Sequence, residues 1–272
     1  MPELPEVETV KNTLKKLVLN KKILSVDIYH NNIVAFPTVD EFKNKLKNQN
    51  INDITRRGKW LIFELDDFFL VSHLRMEGKY FLKNIGEELT KHEHVVFKFE
   101  DQELRYHDTR KFGKMYLIEK DKIETSKPIN ELGLEPWDEN LTSNYLKQKY
   151  SNKNIPIKTL LLDQSIITGI GNIYADEILF KSRLNPLLKP KDLNDKQLNN
   201  IIKYTRETLE EAIELGGTTI KTYESSKGVH GLFQNKLLVH TKAGEMCSVC
   251  GTTIIKITVN GRGTYYCPKC QK

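Results

Sequence analysis

The chain has 272 residues, with 42 Lys and Arg against 36 Asp and Glu for a formal charge of +6, and is 39% hydrophobic and 29% charged. That length buries a real core in one large domain or two ordinary ones, and the composition excludes disordered, collagen-like and low-complexity classes. No apolar run approaches the roughly 20 residues of a membrane span. The opening Met-Pro-Glu lacks the apolar stretch of a secretion signal, so the expectation is a soluble cytoplasmic protein.

In chain order, residues 3–19 place Val7, Val10, Leu14, Leu17 and Val18 on one helical stripe, with Pro5 in the first turn where its missing N–H costs nothing. Strand patterns follow at Ile23–Tyr29, Trp60–Leu65, Phe68–His73, Lys79–Leu82, His94–Phe99, Glu103–His107 and Lys114–Ile118, interrupted by a short helix at Asp40–Lys47. Short alternating strands with little helix between them predict an antiparallel sandwich or barrel. A Pro/Gly/acid-rich linker spans 128–140. Beyond it the period becomes helical at Leu141–Tyr150, Ile157–Asp163, Asn172–Ser182 and Asp192–Leu215, the last as one helix or two. The expected architecture is α+β and multidomain: a helix-led β-sandwich over 1–127, a helical domain over 141–236 and a C-terminal ribbon over 237–272.

The ribbon carries the sharpest motif. Cys247-Ser-Val-Cys250 and Cys267-Pro-Lys-Cys270 are two C-x-x-C knuckles with sixteen residues between them. The thiolates of Cys247, Cys250, Cys267 and Cys270 would fill the tetrahedral sphere of one structural zinc ion, leaving no open position to activate water. The stretch Thr252–Val259, the turn Asn260-Gly261 and Thr264–Tyr266 read as a hairpin between the knuckles. Charge is uneven too: from Gly216 onward eight Lys and Arg face two acids, which is the whole excess. A basic tail on a neutral body suits a polyanion, or is simply a solvated surface.

Several clusters could carry chemistry. Loss of Met1 would expose the secondary amine of Pro2, a nucleophile toward aldehydes and sugar C1′ whose adduct is a cationic iminium. Glu3 and Glu6 lie three apart beside it as candidate acid or base, or are simply good first-turn residues. The run Arg56-Arg57-Gly58-Lys59-Trp60 reads as a phosphate-approaching turn, a site for an acid–base Lys59, or a solvated turn. In Tyr106–Gly113, Arg110 and Phe112 have the composition of a wedge between stacked bases. Gly169-Ile-Gly171-Asn172 opens a helix whose free amides suit a phosphate, but it has neither dinucleotide nor nucleotide-triphosphate spacing.

Taken together, Met1-Pro-Glu-Leu-Pro-Glu-Val-Glu-Thr-Val10, Arg57-Gly-Lys59, His73-Leu-Arg-Met76, Asp108-Thr-Arg110-Lys-Phe112-Gly, Gly169-Ile-Gly-Asn172-Ile-Tyr and the terminal ribbon resemble the formamidopyrimidine-DNA glycosylase family, from the first residue to the last. The resemblance implies a β-sandwich, a helix–two-turns–helix domain and a zinc ribbon, acting as a monomer on damaged duplex DNA. It implies excision of oxidised purines followed by β,δ-elimination. Pro2 becomes the Schiff-base nucleophile, Glu3 the acid that opens the sugar, Lys59 the proton donor of β-elimination and Arg262 that of δ-elimination. His92, Arg110 and Lys153 fall at DNA contacts, and Lys158 and Asn172 at backbone phosphates. Met76, Arg110 and Phe112 match the side chains that fill the gap left by a flipped base. Residues 216–231 align with a loop covering that base. One departure is Lys111, where many relatives carry Arg; it keeps the charge and loses the fork of donors. The alternatives are an endonuclease VIII-type enzyme for oxidised pyrimidines and a non-catalytic zinc-ribbon DNA-binding protein.

Overall fold

The computed structural model describes residues 1–218 and 231–272. These divide into two compact units, one formed by Met1–Asn130 with Gly231 and the other by Glu131–Thr218 with Leu232–Lys272. The loop expected at 216–231 therefore lies mostly outside the described residues.

The first unit opens with α1 (Leu4–Val18), started by Glu3 and Pro5 and buried along Leu4, Val7, Val10, Leu14 and Val18. Two sheets follow. One has the order β1 (Ser25–Ile28), β7 (Glu93–Lys98), β8 (Gln102–His107), β6 (Lys79–Asn84). The other has the order β2 (Val34–Phe36), β9 (Lys114–Glu119), β5 (Phe68–His73), β4 (Trp60–Glu64), β3 (Asp53–Arg57). Pairing is antiparallel except between β2 and β9. Leu61, Phe63, Leu70, Tyr80, Phe97, Leu104, Tyr106 and Leu117 fill the core together with the stripe of α1. The short helix α2 spans Val39–Leu46, with Thr38 and Glu41 forming a capping box.

Two strands escape the sequence pattern. In β3, Asp53, Arg56 and Arg57 hide the alternation of an edge strand whose fully buried side chain is Ile54. The other, β2, has no buried residue, so no period marks it.

In the second unit, α3 (Ser143–Tyr150), α4 (Ile157–Leu161), α5 (Asn172–Lys181) and α6 (Asp195–Glu214) surround a core that includes Leu146, Leu160, Ile178 and Leu198. The expected Asp192–Leu215 segment is one helix preceded by a single 3₁₀ turn, because the Asn194–Gln197 capping box starts it cleanly. The ribbon pairs β10 (Ile255–Val259) with β11 (Arg262–Tyr266) and packs on α5 within this unit. Asn260 and Gly261 take φ +44° and +74°, the primed turn the sequence implied. Among the described residues, no helix is long and apolar enough to cross a membrane.

Candidate active site and zinc centre

Pro2 is half-buried at the mouth of α1, and Glu3 behind it is buried. Glu3 is the N-cap: its side chain accepts from the Glu6 amide, while its own amide donates to Glu6 Oε2 at 2.8 Å. This reciprocal box closes the helix start and fixes a carboxylate one residue from the candidate amine. Glu6, the second carboxylate of the pair, is thereby engaged in capping.

Lys59 is presented by a hairpin. Arg57 pairs with Trp60, leaving Gly58-Lys59 as a two-residue turn with Gly58 at φ +56°, a conformation a β-carbon would resist. Arg56 anchors the turn, donating to Gly58 O at 2.9 Å and, across to α1, to Glu8 Oε2 at 2.9 Å. Glu8 also pairs with Lys11. Burial pushes the Glu8 carboxyl up, and the bonds and charges of Lys11 and Arg56 outweigh it, leaving its pKa below the ordinary value. Arg56 is thus a strut between helix and turn, a role the run of cations concealed. Lys59 itself is buried, and its charge acts on His73, whose ring meets Trp60 edge-on at 4.5 Å.

The wedge residues sit on two loops that clasp each other. Met76 is exposed between β5 and β6; Arg110 and Phe112 are exposed between β8 and β9, with the guanidinium 4.8 Å above the Phe112 ring. Thr109 donates its hydroxyl to Glu77, joining the loops. A β-carbon at either Gly78 or Gly113 would collide with the Tyr106 hydroxyl, so both backbones close on one tyrosine.

The organiser is Asp108, fully buried, whose carboxylate accepts from the amides of Arg110 (3.0 Å), Phe112 (2.9 Å) and Gly113 (2.8 Å). His94 Nε2 donates to its carbonyl at 2.9 Å. Sequence reasoning passes over Asp108 as part of a motif; an Asp opening a polar turn is the available signal. Lys111 occupies the turn at φ +58° and is exposed. His92 is half-buried, its ring 5.5 Å from that of His107.

In the second unit, Lys153 and Arg262 are exposed. Lys158, expected at a backbone phosphate, is turned inward in this structure. Its ammonium is fully buried, paired with Asp176 Oδ1 at 2.6 Å, and it donates to Thr264 Oγ1 (2.9 Å) and Gly263 O (3.0 Å). The cause is Asp176, one helical turn along α5 from Asn172, which draws the cation inward. Asn172, at the first turn of α5, donates through Nδ2 to the same Gly263 carbonyl at 3.0 Å. Its side-chain oxygen is buried with no hydrogen-bond partner, an acceptor left over at the helix start. Glu177, also buried and missed by the sequence reading, accepts from the amides of Leu238, Val239 and His240. Burial raises the Glu177 carboxyl above its ordinary range, against the lowering effect of those three amides.

The four cysteine Sγ atoms all lie within 4.8 Å of one another, with Cys250–Cys267 at 3.5 Å and Cys247–Cys270 at 4.0 Å. A tetrahedron with Zn–S of about 2.3 Å has an edge of about 3.8 Å. The donor set therefore fits one zinc ion held by Cys247, Cys250, Cys267 and Cys270, with no position left for substrate. Local geometry prepares each knuckle: the Gly251 amide donates to Cys247 O at φ +70°, and the Gln271 amide to Cys267 O.

Unit by unit, this is the architecture of the helix–two-turns–helix DNA-repair glycosylases. Three family models match in order: the formamidopyrimidine-DNA glycosylase N-terminal domain over residues 1–115, its H2TH domain over 132–224, and a zinc finger found in FPG and IleRS over 244–272. A formamidopyrimidine-DNA glycosylase of Cytobacillus firmus is 48% identical over the full length of both chains. Two solved structures of the Lactococcus lactis protein, a point mutant with Fapy-dG-containing DNA and a complex with abasic-site DNA, each cover 100% of both chains at 41% identity and TM-score 0.93. The chain belongs to the formamidopyrimidine-DNA glycosylase family and is a DNA glycosylase of base excision repair.

Proposed function

We propose that this protein excises oxidised purines from duplex DNA and then cuts the strand as an AP lyase, acting as a monomer in the bacterial cytoplasm. The observation that carries the reading is the start of α1, where a half-buried Pro2 adjoins a buried carboxylate fixed by its own capping box.

Removal of Met1 frees the Pro2 amine. That amine attacks C1′ as the damaged base leaves, and Glu3 supplies the proton that opens the sugar. The product is an iminium between Pro2 and C1′. It acidifies the C2′ proton, whose loss expels the 3′-phosphate; a second elimination expels the 5′-phosphate, and hydrolysis returns the amine. Lys59 serves the first elimination and Arg262 the second. Met76, Arg110 and Phe112 occupy the space of the extruded base, and His92, Lys153 and Asn172 hold the backbone. Zinc, once bound, keeps the ribbon folded and takes no chemical part.

Borohydride added during reaction with an 8-oxoguanine duplex should trap a covalent product whose peptide begins at Pro2. An uncleaved N-terminal tag should abolish cutting while binding survives, because an amide nitrogen has no basic lone pair. Trapping at Lys59 instead, or normal cutting by the tagged protein, refutes the proline mechanism. Preferential nicking of a thymine-glycol duplex over 8-oxoguanine would assign the pyrimidine branch.

A further inference from the structure

The buried carboxylate of Asp176 lies at a junction the reaction scheme does not use. Oδ1 pairs with Lys158 of α4 at 2.6 Å; Oδ2 accepts from His240 Nδ1 at 2.7 Å and from the Tyr265 amide of β11 at 3.2 Å. Lys158 passes the connection on to Thr264 Oγ1 and to the Gly263 carbonyl, where Asn172 Nδ2 also donates. One carboxylate thus joins α4, α5, the His240 segment and the three residues Gly263–Tyr265. The exposed side chain of Arg262 stands at the first position of that strand, directly after the Asn260-Gly261 turn.

We infer that Asp176 is a positioning residue for the second elimination. Through Lys158 and the Tyr265 amide it sets the register of β11 against α5, and hence the place of the Arg262 guanidinium. Zinc cannot do this alone. The four thiolates clamp the far end of the hairpin, and the turn at the near end is tied to α4 and α5 through the side chains of Lys158, Asn172 and Thr159. Misplacement of a reacting group by order 1 Å costs up to about 100-fold in rate, so the backbone that carries the Arg262 guanidinium has to be held in place. Preorganisation by a supporting shell of this kind is what keeps a reacting group in register.

The inference rests on the proposed role of Arg262, so both are tested together. On an abasic-site duplex, β-elimination alone leaves a 3′ unsaturated aldehyde, whereas β,δ-elimination leaves a 3′-phosphate; a sequencing gel separates the two ends. Asp176→Asn should retain one zinc per chain and the borohydride-trapped adduct, while the ratio of 3′-phosphate to aldehyde ends falls at least about tenfold. Thr264→Val, which leaves the carboxylate in place and removes both one acceptor of Lys158 and the hydroxyl that donates to Arg262 O at 3.1 Å, breaks the last link of the chain from Asp176 to Arg262 and should give a smaller fall in the same direction. Arg262→Ala run beside them separates the two readings. If Arg262→Ala leaves the ratio unchanged, its assigned role fails. If Arg262→Ala lowers the ratio while a zinc-loaded Asp176→Asn does not, the positioning inference is overturned. Should Asp176→Asn lose its zinc, Thr264→Val decides alone, and an unchanged ratio in that variant overturns the inference equally.

Discussion

Burial, reinforced by the cations of Arg75 and Lys59, holds His73 far below the ordinary imidazole range, at about 3. Its Nδ1 accepts from the Arg75 amide at 2.8 Å, so the proton of the neutral ring sits on Nε2. The folded pKa lies below the unfolded one, so between about pH 6.5 and 3 the unfolded chain binds a proton that the folded chain refuses. The native state keeps full advantage above pH 6.5 and loses about 1.4 kcal/mol per pH unit as pH falls through that window. His73→Gln should therefore flatten the decline of the urea midpoint between pH 6.5 and 4.5; an unchanged slope would mean that His73 is not held neutral. Lys158 is the opposite kind of group, charged and fully matched. Lys158→Met strands the Asp176 carboxylate in the interior and should cost about 3–5 kcal/mol. With the chain still folded and zinc-loaded, Lys158→Met should leave the log–log salt slope of DNA binding unchanged. Lys153→Ala, removing an exposed cation, should flatten it by about 0.9. Nothing in the local sequence separates Lys153 from Lys158. The difference comes from a partner on another helix, and such a pairing is written in three dimensions only.

The two wedge loops between the strands act as one element because Asp108 gathers three amides beneath Arg110 and Phe112 and Tyr106 closes the two glycines. Asp108→Ala leaves three amide donors without their acceptor; that of Gly113 is buried and costs about 1–3 kcal/mol when nothing replaces it, while those of Arg110 and Phe112 are part-buried and cost less. The loop should open, and base removal should slow more than binding to an abasic-site duplex, where no base has to be extruded. Met76→Ala and Phe112→Ala should show the same asymmetry with stability unchanged, since both side chains are exposed. Equal losses on both duplexes would reduce the loops to scaffolding. Legibility from sequence follows burial at this scale. Helix α1 and strands β4 to β9 are readable because one face of each meets the core and the other meets solvent or a second layer. The exposed β2 and the charged edge β3 are not, since pairing there rests on backbone bonds and leaves no side-chain period.

For the whole molecule, the zinc centre is the most legible feature and its docking the least. Four thiols in two knuckles state their ligand by local spacing, whereas Asp176 and Glu177 lie inside a helix pattern and give no sign that they hold the ribbon and the Leu238–His240 segment. The apolar cluster at the ribbon consists of Phe180, Val239, Cys247, Ile254 and Cys267, so two of its members are metal ligands. Without the ion those thiols lose their common partner, and the remaining side chains bury too little surface to order a hairpin. Chelation or Cys250→Ser should therefore unfold the ribbon alone. Helical and strand signals from the sandwich and from α3 to α6 should persist in circular dichroism, because Leu61, Phe63 and Phe97 in one unit and Ile178 and Leu198 in the other pack independently of the metal. DNA affinity should fall with the ordered ribbon and strand cutting should fall with it, and whatever cutting remains should end in the 3′ aldehyde, because the Arg262 turn is lost. A Cys250→Ser protein that still held one zinc and nicked damaged duplex at the normal rate would show that the four-thiolate site is not what holds the ribbon in its working form.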